Sequence, residues 1–351
     1  MHPIRWTVLL ALLATLASCA KATAARPQGS ESASDTATTG APADRAADAS
    51  TAAADDTDSG NAGAAPAPRT RPTPPPSVVP AAARIVAIGD VHGDVAATRK
   101  ALQLAGAIDD KDQWIGGALV VVQVGDQLDR GDDEKAILLL LDAVADQAFA
   151  AGGALYALNG NHETMNVALN FGYVTPGGWA DFADTPLLPD DALLQGYPPG
   201  KRGRVAAFRP GGPFARLLAR HNTIQQVGDT VFVHGGVLPA HVSYGIAAIN
   251  AEIQAWMRGD AERPASTSGD DCPVWSRHYS SDPDAADCQL AKDALAALGA
   301  KRMVVAHTVQ PQGINAACGG LVWRVDVGLA KHYGGTPQVL VIEGDNVSIV
   351  K

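Results

Sequence analysis

From residue 83 onward, the apolar residues of the chain occur in short continuous runs, and each run ends at a polar turn that often contains glycine. The runs cover residues 84–88, 118–124, 154–158, 230–233 and 303–306, and the turns after them read GDVHGD, GDQLDRGDD, NGNHE, HGG and HT. Continuous apolar runs are typical of strands that are buried on both faces of a sheet. The pattern predicts five buried strands with polar residues at their carboxyl ends.

Two of these turns lead into segments with helical periodicity. Residues 95–107 (VAATRKALQLAGA) and 134–152 (EKAILLLLDAVADQAFAAG) repeat apolar side chains every three or four positions. Strands that alternate with helices indicate an α/β domain, and in such sheets ligands gather at the carboxyl ends of the strands. We therefore expect all five polar clusters to lie close together.

The polar clusters contain the donors that a pair of divalent cations requires. Asp90 and His92 lie two residues apart on an extended segment, so both side chains can point to one ion. Asp126 follows the second strand as Asp90 follows the first. The later clusters add Asn161, His234 and His307. Two ions about 3.5–4 Å apart need a shared carboxylate between them.

We therefore expect Asp90 and His92 to bind one ion, the three later residues to bind the second, and Asp126 to bridge them. Any one of these histidines alone would more often be structural, but the five clusters together favour the metal site. The clusters contain no cysteine, which argues against a structural zinc site. Nitrogen and oxygen ligands suit manganese, iron or zinc. The glycines are expected to let backbone and substrate approach the ions.

The first residues of the chain predict export. An apolar run at residues 6–17 follows Arg5 and is too short to span a bilayer comfortably, which is typical of a signal peptide. Residues 16–19, LASC, resemble the lipobox of bacterial lipoproteins, which implies cleavage before Cys19 and its lipidation. The alternative is an ordinary signal peptide with a chance cysteine. We expect a periplasmic lipoprotein whose only membrane contact is Cys19, in the outer rather than the inner membrane.

Composition divides the rest of the chain in two. Residues 20–82 are rich in Ala, Thr, Asp, Ser, Gly and Pro and predict a disordered tether, whereas residues 83–351 predict one α/β domain. The net charge of −10 argues against a nucleic-acid partner. Among the three remaining cysteines, Cys272–Cys288 is the most local disulfide, and the two pairings with Cys318 stay open.

Taken together, GDVHG, GDQLDRG, GNHE, HGG and AHT resemble the phosphoprotein phosphatase family of binuclear metallophosphoesterases. Leu128, FGYVTPGGWADF and FVHGGVLPAHV resemble its bacterial branch, the Shewanella-like phosphatases. The resemblance implies the calcineurin-like fold, a central β-sandwich flanked by helices, with two metal ions at the strand ends. It also implies the six metal ligands proposed above.

The resemblance adds catalytic roles for four further residues. Arg130 in GDQLDRG, and Arg277 in PVWSRHY on the weaker match WSR alone, would hold the phosphate. His162 in GNHE would protonate the leaving group, and Asp129 would orient His162. Two cations lower the pKa of a shared water, which then supplies hydroxide for in-line attack on phosphorus. No phosphoenzyme is needed.

Each of these residues also has a structural alternative. Asp129 and Arg130 could form an ion pair in a turn, His162 could be a further metal ligand or cap a helix, and Arg277 could lie on the surface. Glu163 is expected to begin a helix, where its charge suits the helix dipole.

The segment from residue 171 to 213 is expected to shape the substrate pocket. It contains Arg204 and Arg209, for which the sequence leaves contact with phosphate and ordinary surface exposure equally open.

The expected activity is hydrolysis of phosphomonoesters on proteins or peptides, with phosphotyrosine suggested by the relatives of this branch. A broad periplasmic phosphatase for small phosphoesters is an alternative. Dinucleoside polyphosphate hydrolysis is another, although Asp129 in LDRG disfavours it. The alternative outside enzymes is a lipid-anchored binding module on the same fold. We expect a monomer.

Overall fold

The computed structural model describes residues 70–351. The predicted signal segment, Cys19 and the predicted tether up to residue 69 lie outside these residues. Among the helices within residues 70–351, none is long and apolar enough to cross a membrane.

Two β-sheets form the centre of this part of the chain. In chain order the strands are β1 (Val78–Val79), β2 (Ile85–Ile88), β3 (Val120–Gln123), β4 (Ala154–Ala157), β5 (Ile224–Val227), β6 (Thr230–Val233), β7 (Arg302–Val305), β8 (Asn315–Ala317), β9 (Val322–Arg324), β10 (Val339–Glu343) and β11 (Asn346–Val350). One sheet has the order β1-β5-β6-β7-β9-β8, and the other has the order β11-β10-β2-β3-β4.

Helices flank the sheets on their outer sides and in the connections. They are α1 (Val95–Leu104), α2 (Glu134–Ala150), α3 (Asn161–Val167), α4 (Pro176–Asp181), α5 (Ala192–Gln195), α6 (Arg202–Phe208), α7 (Pro213–Leu218), α8 (Pro239–Tyr244), α9 (Ile246–Arg258) and α10 (Ala285–Leu298). Short 3₁₀ turns lie at Pro199–Lys201, Ala265–Thr267 and Cys318–Gly320. The five predicted strands are β2, β3, β4, β6 and β7, and the two predicted helices are α1 and α2, so these predictions are confirmed.

Parallel pairing brings the carboxyl ends of the strands together. Strands β2, β3 and β4 are parallel neighbours in a register that aligns Ile88 with Gln123 and Gln123 with Ala157. In the other sheet, β6 and β7 are also parallel. The turns after these strands therefore lie side by side, as parallel pairing requires.

The two sheets pack face to face across one apolar core. Val86 and Val121 of one sheet and Phe232 and Val304 of the other belong to the same buried cluster. Side chains on β6 alternate between faces, since Val231 instead joins a second cluster that faces α9. Full burial of such side chains is worth about 1.5–3 kcal/mol each relative to exposure. The expected sandwich flanked by helices is confirmed.

The last part of the predicted tether packs on the domain. Val78 and Val79 pair with β5, and the guanidinium of Arg71 forms ion pairs with Asp142 at 2.6 Å and Asp146 at 2.8 Å, both on α2. This segment contains few large apolar residues. Its polar contacts are made by backbone carbonyls, Ser77 Oγ and Arg71, while Val79 and Ala82 pack against the core. Composition therefore placed the start of the folded unit too late in the chain.

The disulfide joins Cys288 on α10 to Cys318, while Cys272 is a buried free thiol. The predicted Cys272–Cys288 pairing is therefore wrong. Proximity along the chain was the only basis for that prediction. The fold instead brings the first turn of α10 against the turn at Cys318–Gly320, with a sequence separation of 30 residues between the bonded cysteines.

We expect the Cys288→Ala/Cys318→Ala double variant to lose about 3–4 kcal/mol of unfolding free energy, because a loop of this length gains conformational entropy when it opens. Urea unfolding of this variant and of wild type measures the difference. The matched control is Cys272→Ser, which removes a thiol without opening a loop. Peptide mapping without reductant that recovers a Cys272–Cys288 peptide would contradict the pairing.

Candidate metal centre and active site

The polar turns after β2 and β3 are held together by backbone hydrogen bonds. The amides of Val91 and His92 donate to the carbonyl of Asp126 at 3.1 and 3.0 Å, and the amide of Gly93 donates to Gln127 at 2.9 Å. Adjacent strand ends are thus joined into one rigid frame. This frame carries the first three of the predicted metal ligands.

His234, after β6, lies at the centre of the second group of predicted ligands. Its Nδ1 lies 2.9 Å from the carbonyl of Val124, which can only accept, so Nδ1 carries a hydrogen and Nε2 is the nitrogen left to bind a metal ion. That Nε2 lies 2.8 Å from Asn161 Oδ1, 3.1 Å from His307 Nδ1 and 3.2 Å from Asp126 Oδ2. The donors expected to bind the second ion therefore converge on one point.

Asp90 and His92 lie on the other side of Asp126. His92 Nδ1 donates to the carbonyl of Leu128 at 2.9 Å, which leaves Nε2 free. This Nε2 lies 3.8 Å from Asp90 Oδ2 and 3.7 Å from Asp126 Oδ2. Asp126 therefore lies between the two donor groups, which is the position expected for a bridging carboxylate.

The donor set fits divalent cations. Asp90 Oδ1 is buried and has no hydrogen-bond partner. The potential ligand atoms His234 Nε2, Asn161 Oδ1 and Asp126 Oδ2 lie close together, with 2.8 and 3.2 Å from Nε2 to the two oxygens. Buried atoms of this kind are costly unless they coordinate a cation, and oxygen with imidazole donors suits several divalent metals.

Burial and charge shift the pKa values of the ligands in opposite directions. Burial favours protonation of Asp126, but His234 and His162 outweigh it and hold the pKa of Asp126 well below its usual range. Burial, with Asp326 and Asp126 nearby, raises the pKa of Asp90 well above its usual range. Burial lowers the pKa of His92 to about 4, so this imidazole is neutral and available for metal binding near pH 7.

Many of the site residues have an unusual backbone conformation. Positive φ angles occur at His92 (37°), Asp126 (55°), Asp129 (67°), Arg130 (67°) and His307 (69°). Residues other than glycine adopt this region at a cost, and such strain persists only where the surroundings hold the backbone in place. The turns that carry the site are therefore maintained by contacts from other parts of the chain.

Glu163 provides much of that support. It lies in the first turn of α3, as expected, but its buried carboxylate also accepts four backbone N–H groups. These come from Asp126 at 2.9 Å, Gln127 at 2.8 Å, Leu128 at 3.1 Å and Gly160 at 2.6 Å. One side chain thus organises both the GDQLDRG and the GNHE turns.

Two glycines are required by the close approach of these turns. A Cβ atom on Gly160 would lie 2.2 Å from Asp126 Oδ1, and one on Gly125 would lie 2.9 Å from His234 Nδ1. The missing side chains leave room for the backbone and for ligand side chains. We expected that the glycines would also clear space for the substrate, but at these two positions protein atoms fill the space.

His162 and Asp129 form a buried pair beside the ligand cluster. His162 Nδ1 lies 2.5 Å from Asp129 Oδ2, and Asp129 is fully buried. Burial alone would lower the pKa of His162, but Asp126 and Asp129 raise it above its usual value. His162 Nε2 lies 3.8 Å from Asp126 Oδ2, at the edge of the ligand cluster. The ring can therefore hold a proton close to a molecule bound there.

The two predicted phosphate-binding arginines line the same cavity, which has a volume of about 100 Å³. The guanidinium of Arg130 stacks 4.0 Å from the ring centre of Tyr173, and its Nε is buried without a partner. Arg277 Nη1 donates to Thr308 Oγ1 at 2.6 Å and to the carbonyl of His307 at 3.2 Å. Arg277 is exposed, yet it borders the cavity.

Asp326, which is buried against Asp90, was not predicted from the sequence. One carboxylate oxygen accepts from the amide of Gly328 at 2.9 Å. Burial raises the pKa of Asp326 to about 6. A signal was present, since Asp326 lies two residues after the end of β9, just as Asp90 lies two residues after the end of β2.

Arg204 and Arg209, left open by the sequence, have different surroundings. Arg204 is fully buried, and its guanidinium contacts Asp129, Glu134 and Asn166 rather than the cavity. Arg209 is half-buried and forms an ion pair with Asp191. Arg204 therefore neither contacts the phosphate cavity nor lies on the surface. It supports the site through its contact with Asp129.

Comparison with known proteins identifies the family. Residues 83–311 match the family model described as calcineurin-like phosphoesterase. Shewanella-like protein phosphatase 2 of Arabidopsis thaliana is 40% identical over 296 residues, covering 75% of this chain and 76% of its own length. Shewanella-like protein phosphatase 1 of Plasmodium berghei is 26% identical over 280 residues, covering 76% and 74%.

A solved structure of a cold-active protein tyrosine phosphatase has the same fold. It superposes with a TM-score of 0.65 at 23% identity and covers 79% of this chain and 78% of its own. The family implies divalent metal ions and phosphoester hydrolysis, in agreement with the donor set described above. The chain therefore belongs to the calcineurin-like phosphoesterases, in the Shewanella-like protein phosphatase branch, and is a phosphoric monoester hydrolase.

Proposed function

We propose that this enzyme is a metal-dependent protein phosphatase that removes phosphate from phosphotyrosine in proteins or peptides. The observation that carries the proposal is one cavity bordered by the ligand cluster, by His162 and by the two arginines Arg130 and Arg277. A phosphate needs cations and forked donors, and a leaving group needs an acid. Relatives named as protein phosphatases support a protein substrate.

Two divalent ions, manganese first among the candidates and iron or zinc as alternatives, are proposed as the cofactors. Asp90 and His92 would hold one, and Asp126 would be shared between the two. The ligands of the second would be Asn161, His234 and His307. When bound, the ions supply a water of low pKa and offset the negative charge of the phosphate.

Three side chains of the protein act on the phosphate and the leaving group. Arg130 has an unpaired buried Nε, and Arg277 borders the same cavity, so both can donate to phosphate oxygens. His162 donates its Nδ1 hydrogen to Asp129 and, when protonated, presents a second hydrogen at Nε2 to the leaving oxygen. Because Asp126 and Asp129 raise the pKa of His162, its acidic form persists to higher pH than in an ordinary histidine.

Aromatic side chains around the cavity favour an aryl phosphate. The ring of Tyr173 lies 5.2 Å from His162, the ring of Tyr333 lies 5.4 Å from His92, and Trp275 lies 5.7 Å from His307. Flat aromatic surfaces contact the phenyl ring of phosphotyrosine better than the short chain of phosphoserine. These three aromatic side chains are the reason for proposing phosphotyrosine, rather than a small alkyl phosphate, as the substrate.

Turnover by the full chain, loaded with manganese, tests this function. We expect phosphotyrosine peptides to be hydrolysed with a higher kcat/KM than phosphoserine and phosphothreonine peptides, nucleotides or diadenosine tetraphosphate. Equal turnover of every small phosphoester would instead favour the broad periplasmic phosphatase. Metal-loaded protein that turns over none of these substrates would overturn the proposal.

We expect His162→Ala to slow hydrolysis most for esters with poor leaving groups. Phenyl phosphate, whose phenol has a pKa of about 10, should lose about 10²–10³-fold in kcat/KM, whereas dinitrophenyl phosphate should lose about tenfold or less, because a good leaving group needs little protonation. Steady-state kinetics on the two esters measures the difference.

Metal content of the same variant separates the acid role from a ligand role. If His162 acts as the acid, His162→Ala keeps the metal content of wild type by elemental analysis. Equal losses on both esters, together with lost metal, would instead make His162 a ligand, which its grouping with His92 and Asp126 allows. His241→Ala, on α8 outside the cavity, is the matched control and should leave both rates unchanged.

We further propose that the protein is exported and anchored through Cys19 to a bacterial outer membrane. The disulfide between Cys288 and Cys318 supports an oxidising compartment. Incorporation of labelled palmitate in a bacterial host tests the anchor, with Cys19→Ser as the control that removes the acceptor. Label that persists in Cys19→Ser, or is absent from wild type, would contradict the proposal.

A further inference from the structure

Arg204 is the largest fully buried side chain of the described part of the molecule. It lies on α6, and its guanidinium is surrounded by hydrogen-bond acceptors. Nη1 contacts Glu134 and donates to the carbonyl of Gly178 at 2.8 Å. Nη2 donates to Asn166 at 2.8 Å, to Glu134 at 3.0 Å and to Asp129 at 3.3 Å. The negative charges of Glu134 and Asp129 offset the cost of burying this positive charge.

Those partners leave Asp129 little freedom to move. Its Oδ2 accepts from His162, while its Oδ1 accepts from Asn166 Nδ2 at 3.1 Å and from Arg204. Glu134 Oε1 accepts from the backbone amide of Asp129 at 2.5 Å. Asn166 Nδ2 also donates to the carbonyl of His162 at 2.9 Å. Backbone and carboxylate of Asp129 are thus both held by the same group of side chains.

The buried charges depend on Arg204. Asp129 and Glu134 are two carboxylates in contact with this one guanidinium, and all three side chains are fully buried. Burial raises the pKa of Glu134 to about 7 even with Arg204 beside it. Removing the cation would leave two adjacent buried carboxylates, which cannot both stay ionised without cost.

We propose that Arg204, together with Asn166 and Glu134, is a positioning group that holds Asp129 so that Asp129 fixes His162 for proton donation to the leaving group. The proposal rests on the acid role of His162 proposed above. Arg204 touches neither the cavity nor the ligand cluster, so it reaches His162 only through Asp129 and Asn166. It also links α6, within the 171–213 segment, to the catalytic turn.

A purely structural role would give a different kinetic result. If Arg204 only stabilises the fold, its loss should reduce turnover of all esters by the same factor, through the fraction of folded enzyme. If it positions His162, the loss should grow as the leaving group becomes worse, as for His162→Ala. Dependence on the leaving group therefore separates the two roles.

The test compares Arg204→Met, Arg204→Lys and Asn166→Ala with wild type, all as full chains loaded with manganese. We expect kcat/KM for phenyl phosphate to fall about 10- to 100-fold in Arg204→Met, and that for dinitrophenyl phosphate to fall about threefold or less, with unchanged metal content. Arg204→Lys should recover part of the loss. Asn166→Ala keeps all the buried charges, so it tests the same positioning role if the Arg204 variants fail to fold.

The double variant His162→Ala/Arg204→Met completes the test. Because Arg204 acts through His162, its removal in the His162→Ala background should change kcat/KM by less than about threefold. Arg209→Met is the matched control, since Arg209 follows the same helix and pairs with Asp191 away from Asp129. It should keep the rates of wild type on both esters.

The outcomes separate this inference from the proposed function. Equal losses on the two esters in both Arg204→Met and Asn166→Ala, or additive losses in the double variant, would overturn the positioning role. A His162→Ala variant without dependence on the leaving group would overturn the acid role itself. Wild-type protein without turnover would overturn the phosphatase function before either variant is considered.

Discussion

Replacing Asp126 with asparagine is expected to remove both metal binding and activity. Asp126 Oδ2 lies 3.2 Å from His234 Nε2 and 3.7 Å from His92 Nε2, so one oxygen faces both donor groups. An amide has the same shape but carries no charge, and it cannot replace a carboxylate shared by two cations. We expect kcat/KM to fall by about 10³-fold or more, because the proposed reaction uses both ions.

Elemental analysis after gel filtration measures the metal content of Asp126→Asn directly. Wild type should retain two ions per chain if both donor groups are occupied, and the variant should lose at least one of them. Asp293→Asn changes an exposed carboxylate on α10 and should keep both metal and activity. Two retained ions in Asp126→Asn would contradict the bridging role.

The residues that the sequence alone predicted share one property, which is that they follow a strand directly. An apolar run fixes where a strand ends, and parallel pairing then fixes that neighbouring ends meet, so Asp90 and Asp126 could be placed without a structure. His92 was predicted on the assumption that the extended backbone continues past Asp90, but the structure has His92 in a turn with φ 37°, so the period of two residues does not explain its position. Local patterns therefore sufficed for the fold class and for bringing the ligands together.

The contacts that the sequence left open or assigned wrongly join residues that lie far apart in the chain. Arg204 contacts Glu134 across 70 positions, and Cys288 bonds to Cys318 across 30. Whether a buried arginine on α6 contacts phosphate or a carboxylate depends on how α6 packs in the domain. The spacing of apolar residues along the chain does not predict that packing. The segment that carries Arg71 was similarly misassigned, because many of its polar contacts use backbone carbonyls that every sequence has.

For Glu163, the sequence predicted the position in a helix but not the contacts of the carboxylate. Its place in the first turn of α3 follows from the sequence, and the helix dipole explains a negative charge there. That explanation accounts for only a small part of its role. The carboxylate also accepts the amides of Asp126, Gln127 and Leu128, which lie 35 to 37 positions earlier. A strained turn is thus held by a residue from the next strand end.

We therefore expect Glu163→Ala to be the most destabilising single substitution at the site. It would leave four buried backbone N–H groups without an acceptor, and each such group costs about 1–3 kcal/mol. A loss of about 4 kcal/mol or more of unfolding free energy follows, measured by urea unfolding. Glu163→Gln keeps one acceptor oxygen and should lose less.

The same substitution should also release the metal ligands, because Asp126 keeps its positive φ only while its amide is held. Metal content and kcat/KM should fall together in Glu163→Ala, even under conditions where the protein remains folded. Glu262→Ala, which removes an exposed carboxylate, should change the unfolding free energy by about 0.5 kcal/mol or less. A stable Glu163→Ala variant with normal metal content would show that Asp126 is held by its strand and its metal ions alone.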